Sequence, residues 1–294
     1  KAADKVRFVA EAADVVVSGD QVRLVFTVNS QDIKDFRAPS IKGFDVLMGP
    51  SRSQQSSIQI INGKRTSNSS TAFTYILLAG NPGTYTIPAA SVEVNGEKVF
   101  SNAISIKVLP QDQTSGNSGN NGGSASSSRS QAAGSRISSN DLFITATASK
   151  TTVHEQEAIL LTYKVYTVVN LRQLYGKMPD LKGFHTQEVE LPQQKTFTLE
   201  HYKGRNYNTT VWSQYVLFPQ QTGKLEIPSI TFDGVVAQQT ISDDPFDAFF
   251  NGGGYVEVKK KITTPKVVIN VQLLPAKPAG FSGAVGEFKL ATML

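Results

Sequence analysis

Three histidines, His154, His185 and His201, have the widest chemical repertoire in this sequence. A zinc or hydrolase helix needs two of them at i, i+4 or a His-x-Glu spacing, and none of the three meets it. His154-Glu155 and Glu200-His201 are adjacent pairs. Neighbours on a strand point to opposite faces, so a shared ligand site is disfavoured and all three are expected at the surface or rim. The chain has no cysteine, which removes Cys-ligated zinc, iron–sulfur clusters, disulfide scaffolds and thiol nucleophiles. It leaves the redox compartment open. Neither a Gly-x-Ser-x-Gly elbow nor a Gly-rich phosphate loop ending in Gly-Lys occurs. Asp243, Asp244 and Asp247 offer oxygen ligands for Ca²⁺, but their order lacks the Asp-x-Asp-x-Asp-Gly pattern of a calcium loop. No catalytic, cofactor-binding or metal site is expected, and the protein reads as a non-enzyme.

Aromatic residues are the stronger candidates. Phe246, Phe249 and Phe250 stand in the Asp- and Gly-rich stretch Ser242 to Gly254. Exposed aromatics of this kind either fold back onto a core or meet a partner. Tyr207 and Trp212 follow the turn-forming Lys203-Gly204. They suit a hairpin ridge for carbohydrate or protein contact, although cross-strand packing explains them as well.

Strands must position these residues. Val22, Leu24, Phe26 and Val28 alternate with polar or outward residues, as do Ile159, Leu161, Tyr163 and Val165. That period of two marks half-buried strands. Further strands are expected at Phe73–Leu78, Tyr85–Val94 and Ala103–Leu109, with counterparts at Val211–Phe218, Leu225–Phe232 and Val267–Leu274. The counterparts form a repeat. Pro39-Ser-Ile-Lys-Gly43-Phe44 recurs as Pro179-Asp-Leu-Lys-Gly183-Phe184, and Gly83-Thr-Tyr85-Thr-Ile87-Pro88 recurs as Gly223-Lys-Leu225-Glu-Ile227-Pro228, both at an offset of 140 residues. One module has been duplicated. Short strands at regular spacing with turn residues between them predict an antiparallel immunoglobulin-like sandwich in each copy. Asn81 to Tyr85 has the spacing of a tyrosine corner, which Leu225 lacks in the second copy.

The expected layout is a sandwich at 1–110, a flexible linker at 111–139, a second sandwich at 140–275, and at 276–294 a tail or the start of a third module. The linker is almost entirely Ser, Gly, Asn and Gln, too poor in apolar residues to offset its chain entropy. The second module carries an insertion near 239–264, sized by equating Pro110 with Pro275, 165 residues on. The net charge of +5 is scattered along the sequence, unlike the stripe of a nucleic-acid binder, so no nucleic acid is expected. No apolar run reaches the ~18 residues of a membrane span. A sequence opening on Lys1 is compatible with a removed signal or anchor.

The paired Pro-x-Ile/Leu-Lys-Gly-Phe and Gly-x-Tyr/Leu-x-Ile-Pro blocks, Asp244-Pro-Phe-Asp-Ala-Phe-Phe250 and Gly280-Phe-Ser-Gly-Ala-Val-Gly286 together resemble the BatD proteins of the Bacteroides aerotolerance group. The resemblance covers nearly the whole chain. It implies an exported, periplasmic or cell-envelope protein, membrane-anchored in its full-length form and carrying tandem immunoglobulin-like domains. It also implies a complex linked to oxygen tolerance or stress, whose partners are von Willebrand A-domain membrane proteins and, indirectly, a MoxR-type ATPase. No catalytic residue is implied. A surface glycan-binding or adhesin module is the alternative that the Trp212 hairpin keeps open.

Overall fold

The computed structural model describes residues 5–61, 64–113, 137–239, 255–277, 279–280 and 289. The chain divides into two compact units, Lys1–Asn117 with Leu199–Asn206, and Ser118–Thr198 with Tyr207–Leu294.

The first unit is built from β1 (Phe8–Glu11), β2 (Val15–Val17), β3 (Gln21–Val28), β4 (Ile33–Arg37), β5 (Phe44–Ile61), β6 (Lys64–Ala79), β7 (Gly83–Ile87), β8 (Ser91–Val94), β9 (Glu97–Phe100) and β10 (Ile104–Leu109). One sheet runs β1-β3-β6-β5, and facing it are the rows β2-β10-β7 and β4-β8-β9. These are the two layers of an immunoglobulin-like sandwich, with β7 and β8 together serving as its sixth strand. The alternation in β3 buries Val22, Leu24, Phe26 and Val28, which meet Leu77, Ile87, Val92 and Ile106 in one apolar core. Asn95 and Gly96, both at positive φ, close the β8–β9 hairpin, as a two-residue turn requires.

The second unit repeats the plan with β11 (Leu142–Ala148), β12 (Thr152–His154), β13 (Ile159–Thr167), β14 (Asn170–Tyr175), β15 (Phe184–Glu188), β16 (Thr198–Tyr202), β17 (Arg205–Pro219), β18 (Gly223–Ile227), β19 (Thr231–Gln239), β20 (Tyr255–Thr263) and β21 (Val267–Gln272), although Leu199–Asn206, the tip of the β16–β17 hairpin, is grouped with the first. Its rows are β11-β13-β17-β15, with β16 also on β17, then β12-β21-β18 and β14-β19-β20. Tandem immunoglobulin-like sandwiches are therefore the architecture. β2 on β10 and β12 on β21 pair in parallel, whereas neighbours such as β3 and β6 or β13 and β17 are antiparallel.

The duplicated blocks meet in space. A Cβ on Gly43, whose φ is +84°, would lie 2.2 Å from the Tyr85 ring, so glycine lets the ring lie flat on the chain. The Tyr85 hydroxyl donates to the Asn81 carbonyl at 2.8 Å, the bond expected of a tyrosine corner. Gly80 N–H donates to the Gly43 carbonyl at 3.0 Å, and Gln220 N–H to the Gly183 carbonyl at 2.7 Å. In the second unit Leu225 takes the ring's place, 3.0 Å from a Cβ on Gly183.

Two strand readings are corrected. Tyr85–Val94 and Leu225–Phe232 are each two strands, broken at Pro88 and Pro228, because proline has no N–H for the ladder. The strand expected at Phe73–Leu78 is present as the inner part of β6, whose outer part, Lys64 to Ser70, pairs Gln55 to Ile61 of β5. Register also resizes the insertion. Gly83 pairs Val108 and Gly223 pairs Val271, an offset of 163 residues rather than 165, and the extra residues lengthen the β19–β20 hairpin. The linker residues 114–136, Phe246, Phe249, Phe250, Asp243, Asp244, Asp247 and most of the 276–294 segment lie outside the described residues.

Candidate functional site

Trp212 owes its position to an irregularity in β17. Tyr163 pairs with Ser213 and the next residue, Lys164, pairs with Val211, so Trp212 is the unpaired residue of a β-bulge. The first unit has none there: Phe26 pairs Phe73 and Thr27 pairs Ala72 in unbroken register. The chain's one tryptophan is thus an insertion without a counterpart in the duplicate. A bulge bends the strand and re-aims a side chain, and bulges recur beside functional sites for that reason.

The indole is half-buried against the second core and borders two clefts. One, of ≈ 750 Å³, lies between Trp212 and Tyr175 and includes Lys177, Ser229, Thr231 and Asp233. Tyr175 is 62% exposed, the largest aromatic surface in that cleft. A Cβ on Gly176 would lie 2.1 Å from the Phe232 ring, so the chain here presses directly on the core. The second cleft, of ≈ 620 Å³, lies along Glu188 to Lys195, with Lys195 Nζ 5.7 Å from the indole centroid, a cation–π contact. Beneath the bulge Tyr163 is fully buried, and burial pushes its phenol up to about 12, with nearby Tyr215 adding to the shift. Its hydroxyl stands 3.7 Å from Met178 Sδ.

Tyr207 does not share this surface. It is 6% exposed, its hydroxyl donates to the Asn140 carbonyl at 3.0 Å, and its ring meets Phe143 edge-on at 5.3 Å. Cross-strand packing is its role, and the exposed ridge expected from the sequence reduces to Trp212. Sequence reasoning missed Tyr175, because a lone aromatic at a strand end carries no pattern. The histidines stand apart on β12, β15 and β16. His154 Nδ1 is 3.6 Å from Glu157, His185 packs near Phe218 and His201 Nδ1 is 2.8 Å from Asn206 Oδ1. Among the described residues no cluster of three His, Asp or Glu side chains stands ready to hold a metal. No described helix is long and apolar enough to cross a membrane.

A second surface lies on β5, at the end of its sheet. Val46, Leu47 and Met48 are 51%, 50% and 62% exposed. The second unit has Thr186, Gln187 and Glu188 at the same places after its phenylalanine, and Val46 and Thr186 pair the equivalent residues Leu77 and Leu217. The fold is thus compatible with a polar residue in place of Val46; beyond it the ladders part, since Met48 pairs Ile76 whereas Gln187, not Glu188, pairs the equivalent Val216.

No curated protein matches the chain. Among solved structures, the mouse nectin-like molecule 4 ectodomain is 14% identical, covering 96% of this chain and 66% of that one, with a TM-score of 0.20. The Yersinia pseudotuberculosis adhesin InvE is 12% identical over 87% of this chain and 58% of that one, with a TM-score of 0.15. The cadherin-like domains 1 to 4 of zebrafish RET are 9% identical over 92% and 52%, with a TM-score of 0.19. The chain spans less than two thirds of each of these structures. The sequence model of the BatD DUF11-like domain matches residues 9–108 and 146–271, one stretch in each sandwich. The chain belongs to the BatD family.

Proposed function

We propose that this chain is a non-enzymatic interaction protein of the cell envelope, the periplasmic part of a membrane-associated complex linked to aerotolerance or stress response. Export and anchoring of the full-length protein belong to the same reading. Membership of the BatD family supports it. The observation that carries it is the exposed apolar β5 edge, Val46-Leu47-Met48, where the duplicate has Thr186 in the place of Val46 and polar residues after it.

Apolar side chains retained on a free edge cost solubility and suit a protein partner. The ladder shifts register between Val46 and Met48 and again before Ser51. Such bulges disfavour simple strand addition, so the contact is made by side chains. The partner proposed is a von Willebrand A-domain membrane protein, with a MoxR-type ATPase reached through it. Phe246, Phe249 and Phe250 are proposed as a further contact of the same complex.

The test is affinity capture from a native envelope extract with the wild-type chain and with a V46T/L47Q/M48E variant, which installs the second unit's own residues. Loss of a von Willebrand A-domain protein from the variant's capture, at an unchanged melting temperature, is expected. Equal capture by both chains would sink the role of this edge. Replacing Phe246, Phe249 and Phe250 by Ser in the same assay should lower capture without lowering the melting temperature. A large loss of stability would assign these rings to the core.

A further inference from the structure

We infer that the cleft between Trp212 and Tyr175 binds a neutral, pyranose-based oligosaccharide, an activity separate from the protein contact proposed for β5.

The duplication is the starting point. Tyr175 pairs Asp233, and in the first unit the equivalent pair is Lys34 with Glu93. The second unit therefore has an aromatic ring where its copy has lysine, and across the cleft it has an inserted tryptophan where its copy has nothing. Neither change is needed by the sandwich. Both bring an aromatic side chain to one cleft.

The chemistry of the lining fits a sugar. A pyranose has apolar C–H faces and a rim of hydroxyls, so it is held by aromatic rings together with a few fixed donors and acceptors. Tyr175 and Trp212 supply the rings, Asp233 accepts, Lys177 donates, and Ser229 and Thr231 do either. Lys177 and Asp233 line the cleft and Lys261 Nζ stands 3.9 Å from that carboxylate, both largely exposed, so its charges are mixed and screened rather than gathered into the cationic cluster an anionic ligand would need. Its ≈ 750 Å³ lies within the range of small-ligand sites. The wall is set beforehand, because Gly176 packs on the Phe232 ring with no room for a Cβ, and a fixed site loses less entropy on binding.

Trp212 is the chain's one tryptophan, so its emission reports on the two clefts it borders, and Tyr175, which lines only this one, separates them. The full chain is titrated with maltohexaose, chitohexaose and, as the anionic arm, an oligogalacturonate. Expected is a saturable emission shift with a neutral series, absent or weaker with the anion. Y175K, which installs the first unit's own residue, should weaken binding by about tenfold or more with an unchanged melting curve. Deleting Trp212, read by calorimetry, should abolish it. No shift with either neutral sugar up to about 10 mM, equal affinity in Y175K, or a shift with the anion alone would each overturn the assignment. Failure of β5 capture leaves this result untouched, and the reverse also holds.

Discussion

Removing one oxygen atom from Tyr85 tests whether the duplicated blocks encode the crossing they appear at. The hydroxyl donates at 2.8 Å to the Asn81 carbonyl, which is exposed. In Tyr85→Phe the ring stays on Gly43 and water takes over the carbonyl, so the loss is one net hydrogen bond, about 1 kcal/mol. For a unit of this size that corresponds to a melting shift of about 4–8 °C. Tyr85→Leu, the second unit's own choice, also gives up the edge-on contact with Phe44 at 5.7 Å and part of the buried ring, for about 2–3 kcal/mol in all. The reciprocal Leu225→Tyr has the same glycine opposite it and the Gln221 carbonyl four residues upstream. It should gain about 1 kcal/mol. Guanidinium unfolding of the second unit is followed by the emission of Trp212, and that of the first by hydrogen exchange. An unchanged first unit in Tyr85→Phe, together with a destabilised second unit in Leu225→Tyr, would refute the corner as the purpose of these blocks.

Gly43→Ala should cost about 3 kcal/mol, since φ is +84° and the Cβ falls 2.2 Å from a packed ring. Gly183→Ala, at φ +83° against the movable Leu225, should cost about 1–2 kcal/mol, and denaturant midpoints separate the two. Burial raises Tyr163 from 10.0 to about 12, so the neutral phenol belongs to the fold. Its contribution is fully present below about pH 10 and declines as pH rises toward 12, and tyrosinate absorbance should show this late ionisation. Glu157 is held below 4.5, chiefly by its hydrogen bond from Lys150 and then by that from the His154 N–H. Its contribution is present above that pH and lost as pH falls through its lowered pKa. Glu157→Gln should flatten the acid limb of stability against pH.

Alternation made the inner strands legible. Val22 to Val28 and Ile159 to Val165 show it because one face is buried and the other wet. The corner at Tyr85 was legible for a related reason, since its turn residues sit at fixed spacing. Outer β5 and β6 were not, because Gln54 to Ser57 and Lys64 to Ser70 are all polar or charged and carry no apolar period. The split at Pro88 is legible in the sequence, since proline removes the donor that an unbroken strand needs. Trp212 shows the limit for the site. Tyr207 and Trp212 are five residues apart, so an uninterrupted strand would put them on opposite faces; the bulge at Trp212 shifts the in–out phase by one residue, and Tyr207 is packed away. Nothing in a single sequence announces that shift, and a comparison of the two registers reveals it at once.

The central claim, that the exposed residues which differ between the duplicated units carry the contacts, is tested most directly by titrating a purified von Willebrand A-domain protein from the same envelope against the wild-type and V46T/L47Q/M48E chains. Saturable binding by the wild type, weakened at least about tenfold in a variant with an unchanged melting curve, is the result the account predicts. Equal affinity for both chains, or no binding by either, would contradict it.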